Sequence, residues 1–180
     1  MRWHDVAPLA GGKSVIRMST IPKLSFDNLE HFIGREIALS PWMRVDQERI
    51  DQFAQVTEDP DPMHIDPEWA ARNGPYGGTV LAGMHMLALL PRLTRGAGLS
   101  IDGVRLAMNY GFNRVRFVAP LPVRAEFRNR VELLAVERRT DGRAIIISRN
   151  TLQCRDGERP VFVAEWVNLL WPASAAAPAV

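Results

Sequence analysis

Cysteine is almost missing from this chain. Cys154 is the only one, so no internal disulfide can form and no cysteine cluster is present to hold zinc. A reducing, cytoplasmic setting is the expectation. Lysine is nearly as scarce, with only Lys13 and Lys23 among 22 basic residues. Set against 20 acids, these leave a formal net charge of +2, too little for a dedicated nucleic-acid binder. No apolar run approaches the roughly 20 residues needed to cross a bilayer, so no membrane partner is expected. The first residues, MRWHDVAPLAGGKSVIRMST, lack the continuous apolar core of a secretion signal. No GxSxG elbow and no internal repeat occur.

These absences leave one ordinary domain. The chain has 180 residues, 47% of them apolar, which is enough for a proper core. Residues 1–25 read as an N-terminal extension, 26–172 as the domain, and 173–180 as a flexible tail. SFDNLEHFIG reads as a short helix capped by Ser25 or Asp27 and stopped by Gly34, with a strand from Glu36 to Leu39 after it. In VDQERIDQFAQVTED, Asp46 stands at a capping position. Ile50, Phe53, Ala54 and Val56 recur at helical spacing, which predicts a helix ending near Thr57. Asp66-Pro67-Glu68 starts another, cut short by Gly74 and Pro75. Residues 77–90, GGTVLAGMHMLALL, are apolar almost all round, which predicts a buried helix that Pro91 kinks or ends.

The second half reads as strands. GVRLAMNYGFNRVRF predicts two strand segments. From Val123 to Val131, apolar and charged residues alternate with period two, as in a strand with one face in the core. Asp141-Gly142 signals a hairpin into RAIIISRNTLQC, and Asp156-Gly157 turns into VFVAEWVNLL. Helices first and an antiparallel meander after them make the class α+β, with a curved sheet covering the apolar helix.

The stretch TEDPDPMHID, residues 57–66, carries the chemistry. Four carboxylates (Glu58, Asp59, Asp61, Asp66) crowd His64, and two prolines argue for a rigid loop rather than a helix. Three readings follow: a metal site, an acid/base pair, or a solvated turn. The spacing fits neither a calcium loop nor a zinc site, so no metal is expected. An imidazole beside a carboxylate can activate water.

The segment FAQVTEDPDPMHIDPEWAARNGPYGGTVLAGMHMLALLPRL resembles the signature of MaoC-like dehydratases, the (R)-specific enoyl-CoA hydratase family. NYGFNRVRFVAPLPV and VAEW extend the resemblance toward the nodulation protein N-like branch, over about residues 30–171. The resemblance implies a hot-dog fold, an antiparallel sheet wrapped around one long helix, in homodimers. It implies reversible addition of water to trans-2-enoyl thioesters of coenzyme A or an acyl-carrier protein, with no cofactor. By motif position, Asp59 and His64 hold and activate the water. Gly83 supplies the backbone N–H that polarises the thioester carbonyl, where negative charge builds.

Around this core, Met84 is a candidate for the acyl pocket. Arg92, Arg95, Arg114 and Arg116 are candidates for the phosphates of the carrier arm, each weighed against a solvated face. His85 reads as a satisfied core histidine, and Tyr110 and Asn113 as structural. The chain also departs from the family pattern. Asp61 stands where Asn or Gln is common, Ala82 where many members have His, and no serine follows Gly83 in the next two helical turns. A thioesterase and a non-catalytic acyl-binding protein are the alternatives.

Overall fold

A computed structural model describes residues 23–174. The expected extension therefore lies outside the described residues up to position 22, and the expected tail from 175 onward. Leu24–Ser25 (β1) already belongs to the folded body. It pairs in parallel with Ile101–Asp102 (β3), and Leu24 is only 1% exposed.

Five strands form the main sheet: Glu36–Leu39 (β2), Val104–Phe117 (β4), Phe127–Arg138 (β5), Ala144–Cys154 (β6) and Pro160–Pro172 (β7). Their order is β2-β5-β6-β7-β4, and every pairing within it is antiparallel. From Val104 on, GVRLAMNYGFNRVRF is one 14-residue strand, not the two expected segments. Register shifts along β4 let it bend where two shorter strands were read. The strand expected from Val123 begins only at Phe127, because Pro122–Ala125 turn and Arg124 takes a left-handed conformation (φ 64°). From Phe127 to Val131 the alternation holds: Phe127, Asn129 and Val131 are buried between half-exposed arginines.

The helices cover one face of this sheet. A 3-10 helix spans Phe26–Phe32, and Gly34 follows it at φ 78°. Gln47–Thr57 (α1) starts as expected, with the Asp46 carboxylate accepting from the Arg49 N–H at 3.1 Å. Ile50 and Ala54 face the core, whereas Val56, read as part of that stripe, is 84% exposed. A helix placing positions 50 and 54 on one side turns position 56 outward.

The apolar helix differs most from expectation. It does not begin at Gly77. Residues 79–82 run extended, with Val80 bridged to Pro122 and the Leu81 N–H donating to the Leu121 carbonyl. Gly77 at φ 72° turns the chain, and β-branched Thr79 and Val80 suit the extended path. Helix starts at Gly83 (α4, Gly83–Ala88), breaks at Leu89 and resumes as Leu90–Gly96 (α5). Pro91 interrupts it without ending it, since the first turn of α5 needs no proline N–H. Met86, Leu89, Leu90 and Leu93 pack against Phe127, Leu152, Phe162 and Trp166, the core between helix and sheet. This is the hot-dog arrangement.

Candidate active site

TEDPDPMHID is not a plain loop. α1 closes with Glu58 in the left-handed conformation (φ 55°), and the Asp59 N–H donates back to the Ala54 carbonyl at 3.0 Å. A one-turn helix, Pro62–Ile65 (α2), follows. Pro62 is tolerated at its first turn, and Asp61 is its N-cap, accepting from the Met63 N–H at 2.8 Å. A third helix, Pro67–Asn73 (α3), starts under the expected cap, with Asp66 accepting from the Trp69 N–H at 2.8 Å. Two of the four carboxylates are thereby assigned to helix starts, which leaves Asp59 and Glu58 free of capping work.

His64 lies in the middle of α2 and is half-buried. Its Nδ1 lies 2.8 Å from the Val80 carbonyl oxygen. A carbonyl can only accept, so Nδ1 carries a proton, and in the neutral ring Nε2 presents a bare lone pair. Asp59 is exposed on the same segment, ahead of the α2 cap. Among the described residues no hydrogen bond or ion pair joins Asp59 to His64 directly. Each is held by its own backbone bond, Asp59 to the Ala54 carbonyl and His64 to the Asp61 carbonyl.

Gly83 is the first residue of α4. Its N-cap, Ala82, has no side chain able to accept, so the first amide hydrogens of the helix stay free. A Cβ on Gly83 would stand 2.9 Å from the Phe117 ring, which itself stacks on Phe162 at 5.8 Å. Met84, next in line, is 62% exposed at the mouth of this region.

Arg114 and Arg116 are placed differently. Val115 packs toward the core and Phe117 toward Gly83, so strand alternation turns both arginines to the opposite side of β4. Neither guanidinium faces Gly83. His85 is buried (5% exposed), as read, but it is not satisfied. Its Nδ1 has no partner, and its ring lies flat on Phe53, centroids 4.4 Å apart and planes 4° from parallel. Burial, with a smaller push from Arg49, lowers its pKa and keeps the ring neutral.

Two features escaped the sequence. Gln47, on the first turn of α1, donates to the His64 carbonyl at 2.7 Å and accepts from the Thr79 hydroxyl at 2.6 Å. These partners are 17 and 32 residues away, and no local pattern signals them. The other is a cleft of about 480 Å³ between α5 and the inner face of the sheet, lined by Thr94, Leu99, Val104, Leu106, Trp166 and Asn168 among others. None of Asp59, His64 and Gly83 lines it.

Comparison with known proteins follows the same residues. The family model described as MaoC like domain matches residues 28–152. The 3-hydroxyacyl-thioester dehydratase Z of Mycobacterium tuberculosis is 39% identical over 132 residues, covering 73% of this chain and 86% of that protein. Nodulation protein N of Rhizobium leguminosarum bv. viciae is 32% identical over 148 residues, covering 82% and 92%. The crystal structure of a MaoC-like dehydratase from Rhodospirillum rubrum superposes with a TM-score of 0.66 at 26% identity, covering 78% and 92%. A motif on α2, a free helix start at Gly83 and a sheet of this topology thus occur together with matches over most of the chain, which belongs to the MaoC-like dehydratase family.

Proposed function

We propose that this protein is a hydro-lyase that adds water reversibly to trans-2-enoyl thioesters, giving (R)-3-hydroxyacyl thioesters. The observation that carries the reading is the 2.8 Å bond from His64 Nδ1 to the Val80 carbonyl, which in the neutral ring makes Nε2 the free acceptor within the family motif. Such a nitrogen is a general base by construction. The relative named 3-hydroxyacyl-thioester dehydratase Z supports the substrate class.

In the hydration direction, the water oxygen bonds to C3 of the enoyl group, and Nε2 of His64 takes one of its protons. Asp59 accepts the other water hydrogen as a hydrogen bond and aims the attack. The electron pair of the C2=C3 bond moves toward the thioester carbonyl, and the Gly83 N–H stabilises the developing oxyanion. The proton then goes to C2, which restores the carbonyl. Dehydration runs the same steps backward.

Asp61 supports this reading. Asn and Asp cap helices about equally well, so its departure from the family pattern leaves the α2 start intact. A homodimer and a cytoplasmic setting complete the proposal. The outer edge of β4 is unpaired in the sheet and exposes Leu106, Met108 and Tyr110 at alternate positions. Arg114 and Arg116 lie along the same strand, turned away from their own Gly83, so in a dimer their contacts to a carrier's phosphates come across to the second protomer's site. No helix among the described residues is long and apolar enough to cross a membrane.

The test follows loss of the conjugated enoyl-thioester absorbance across several chain lengths, with free thiol measured in parallel. Hydration without thiol release is expected. Asp59→Asn and His64→Ala each lower kcat by about 100- to 10,000-fold, the usual share of general acid–base groups. Full rates in both variants, or thiol release in place of hydration, overturn the assignment.

A further inference from the structure

The side-chain amide of Gln47 joins α1 to the segment that carries His64 and to Thr79. Nε2 donates to the His64 carbonyl at 2.7 Å and to Asp51 Oδ1 at 2.8 Å, and Oε1 accepts from Thr79 Oγ1 at 2.6 Å. The orientation of this amide is forced. A carbonyl and a carboxylate can only accept, so the NH2 must face them, and the Thr79 hydroxyl must then donate to Oε1. Thr79 itself is 2% exposed, and its carbonyl accepts from the Val123 N–H at 3.0 Å.

The bonds close into a ring. From Gln47 the path goes to the His64 carbonyl, through the His64 residue to Nδ1, across to the Val80 carbonyl, back one residue to the Thr79 hydroxyl, and so to Gln47. Three segments distant in sequence are tied at one point: the start of α1, α2 and the extended run before α4. His64 is gripped twice, by its backbone oxygen and by its ring. The Val80 carbonyl that selects the ring tautomer is itself placed by its neighbour Thr79. Loss of the grip at Gln47 frees α2 to move relative to Val80 and lets the proton shift between the two ring nitrogens.

We propose that Gln47, acting with Thr79, is the positioning residue of the reaction: it holds His64 with Nδ1 protonated and Nε2 bare, aimed at the reacting water. The inference rests on the hydratase reading for its kinetic consequence but not for its structural one. Gln47 touches no reacting atom. Its contribution is geometric, and a displacement of about 1 Å at a catalytic group is worth about 100-fold in rate.

The experiment therefore has two independent readouts on the full chain. Nitrogen-15 NMR of the histidine ring, assigned through His64→Ala, is expected to show the Nδ1–H tautomer in the wild type. In Gln47→Ala and in Thr79→Val, a mixture of tautomers is expected. In kinetics, both variants lose about 10- to 100-fold in kcat with KM changed less than about threefold, and Thr79→Ser, which keeps the hydroxyl, returns to within about threefold of the wild-type rate. Asp51→Ala, at an exposed position whose carboxylate orients the Gln47 amide, gives a smaller loss, and an unchanged cooperative unfolding transition in each variant separates lost positioning from lost folding. A wild-type Nε2–H tautomer, or unchanged tautomer and kcat in Gln47→Ala and Thr79→Val, overturns the role of Gln47. If the wild type shows no hydration while the tautomer responds as stated, the function fails and the clamp stands.

Discussion

Asp61 accepts a hydrogen bond of 2.8 Å from the backbone N–H of Met63, and that single bond starts the one-turn helix that carries His64. An acid at this position in the motif is a cap rather than a second catalytic carboxylate. Asp61→Asn is expected to keep both stability and kcat within about twofold, because Asn caps as well as Asp. Asp61→Ala removes the acceptor and costs about 1 kcal/mol. Thermal unfolding together with the enoyl-thioester assay checks this; a large rate loss in Asp61→Asn makes the charge itself functional.

Gly83 faces the Phe117 ring so closely that an added Cβ meets it at 2.9 Å. The ring is half-exposed and can swing, so Gly83→Ala is expected to fold. It keeps its N–H and tests only space. The displaced ring enters the region before α4, and kcat falls by about 10-fold or more through misplacement. Combining Gly83→Ala with Phe117→Ala removes the collision and recovers part of the rate. A double variant slower than the product of the two single effects argues that Phe117 acts by another route.

His85 links stability to pH. Its pKa lies below the ordinary value of 6.5, chiefly through burial, with Arg49 on α1 adding repulsion. The unfolded chain therefore binds a proton near pH 6.5 that the folded chain refuses. The stabilising effect of a neutral His85 is complete above that pH and is lost as pH falls below it toward the lowered folded value. Phe53 is the aromatic face packed on the ring, and Nδ1 finds no partner there to hold a charge. His85→Phe keeps an aromatic ring against Phe53 and is expected to flatten the decline in denaturant midpoint between pH 6.5 and 5. An unchanged slope assigns the acid sensitivity elsewhere.

β4 predicts the oligomeric state. Leu106, Met108 and Tyr110 stand exposed along an unpaired edge, an arrangement a folded protein covers or blunts. Light scattering at micromolar concentration is expected to give a dimer. Met108→Lys, which puts a charge on that edge, shifts the equilibrium toward monomer. A wild-type monomer under these conditions removes the dimer from the proposal.

Local chemistry was enough to place much of this protein. The Asp46 and Asp66 caps, the strand at Glu36–Leu39 and the turn at Asp141-Gly142 all depend on residues within a few positions of one another. Such signals survive in any tertiary setting, and the motif that carries them also identified the family. What only the tertiary structure decided involves partners far apart in sequence. The apolar run from 77 could have been helix throughout, but pairing of residues 80–81 with 121–122 pulled its first part into an extended path and moved the helix start to Gly83. Hydrophobicity alone cannot choose between a buried helix and a buried extended segment, because both satisfy it. Which side of β4 carries Arg114 and Arg116 was decided by the packing of Val115 in the core and Phe117 beside Gly83. The Gln47 clamp is the clearest case: its bonds span 17 and 32 residues, so the residue that grips His64 became visible only when the fold brought three segments to one point.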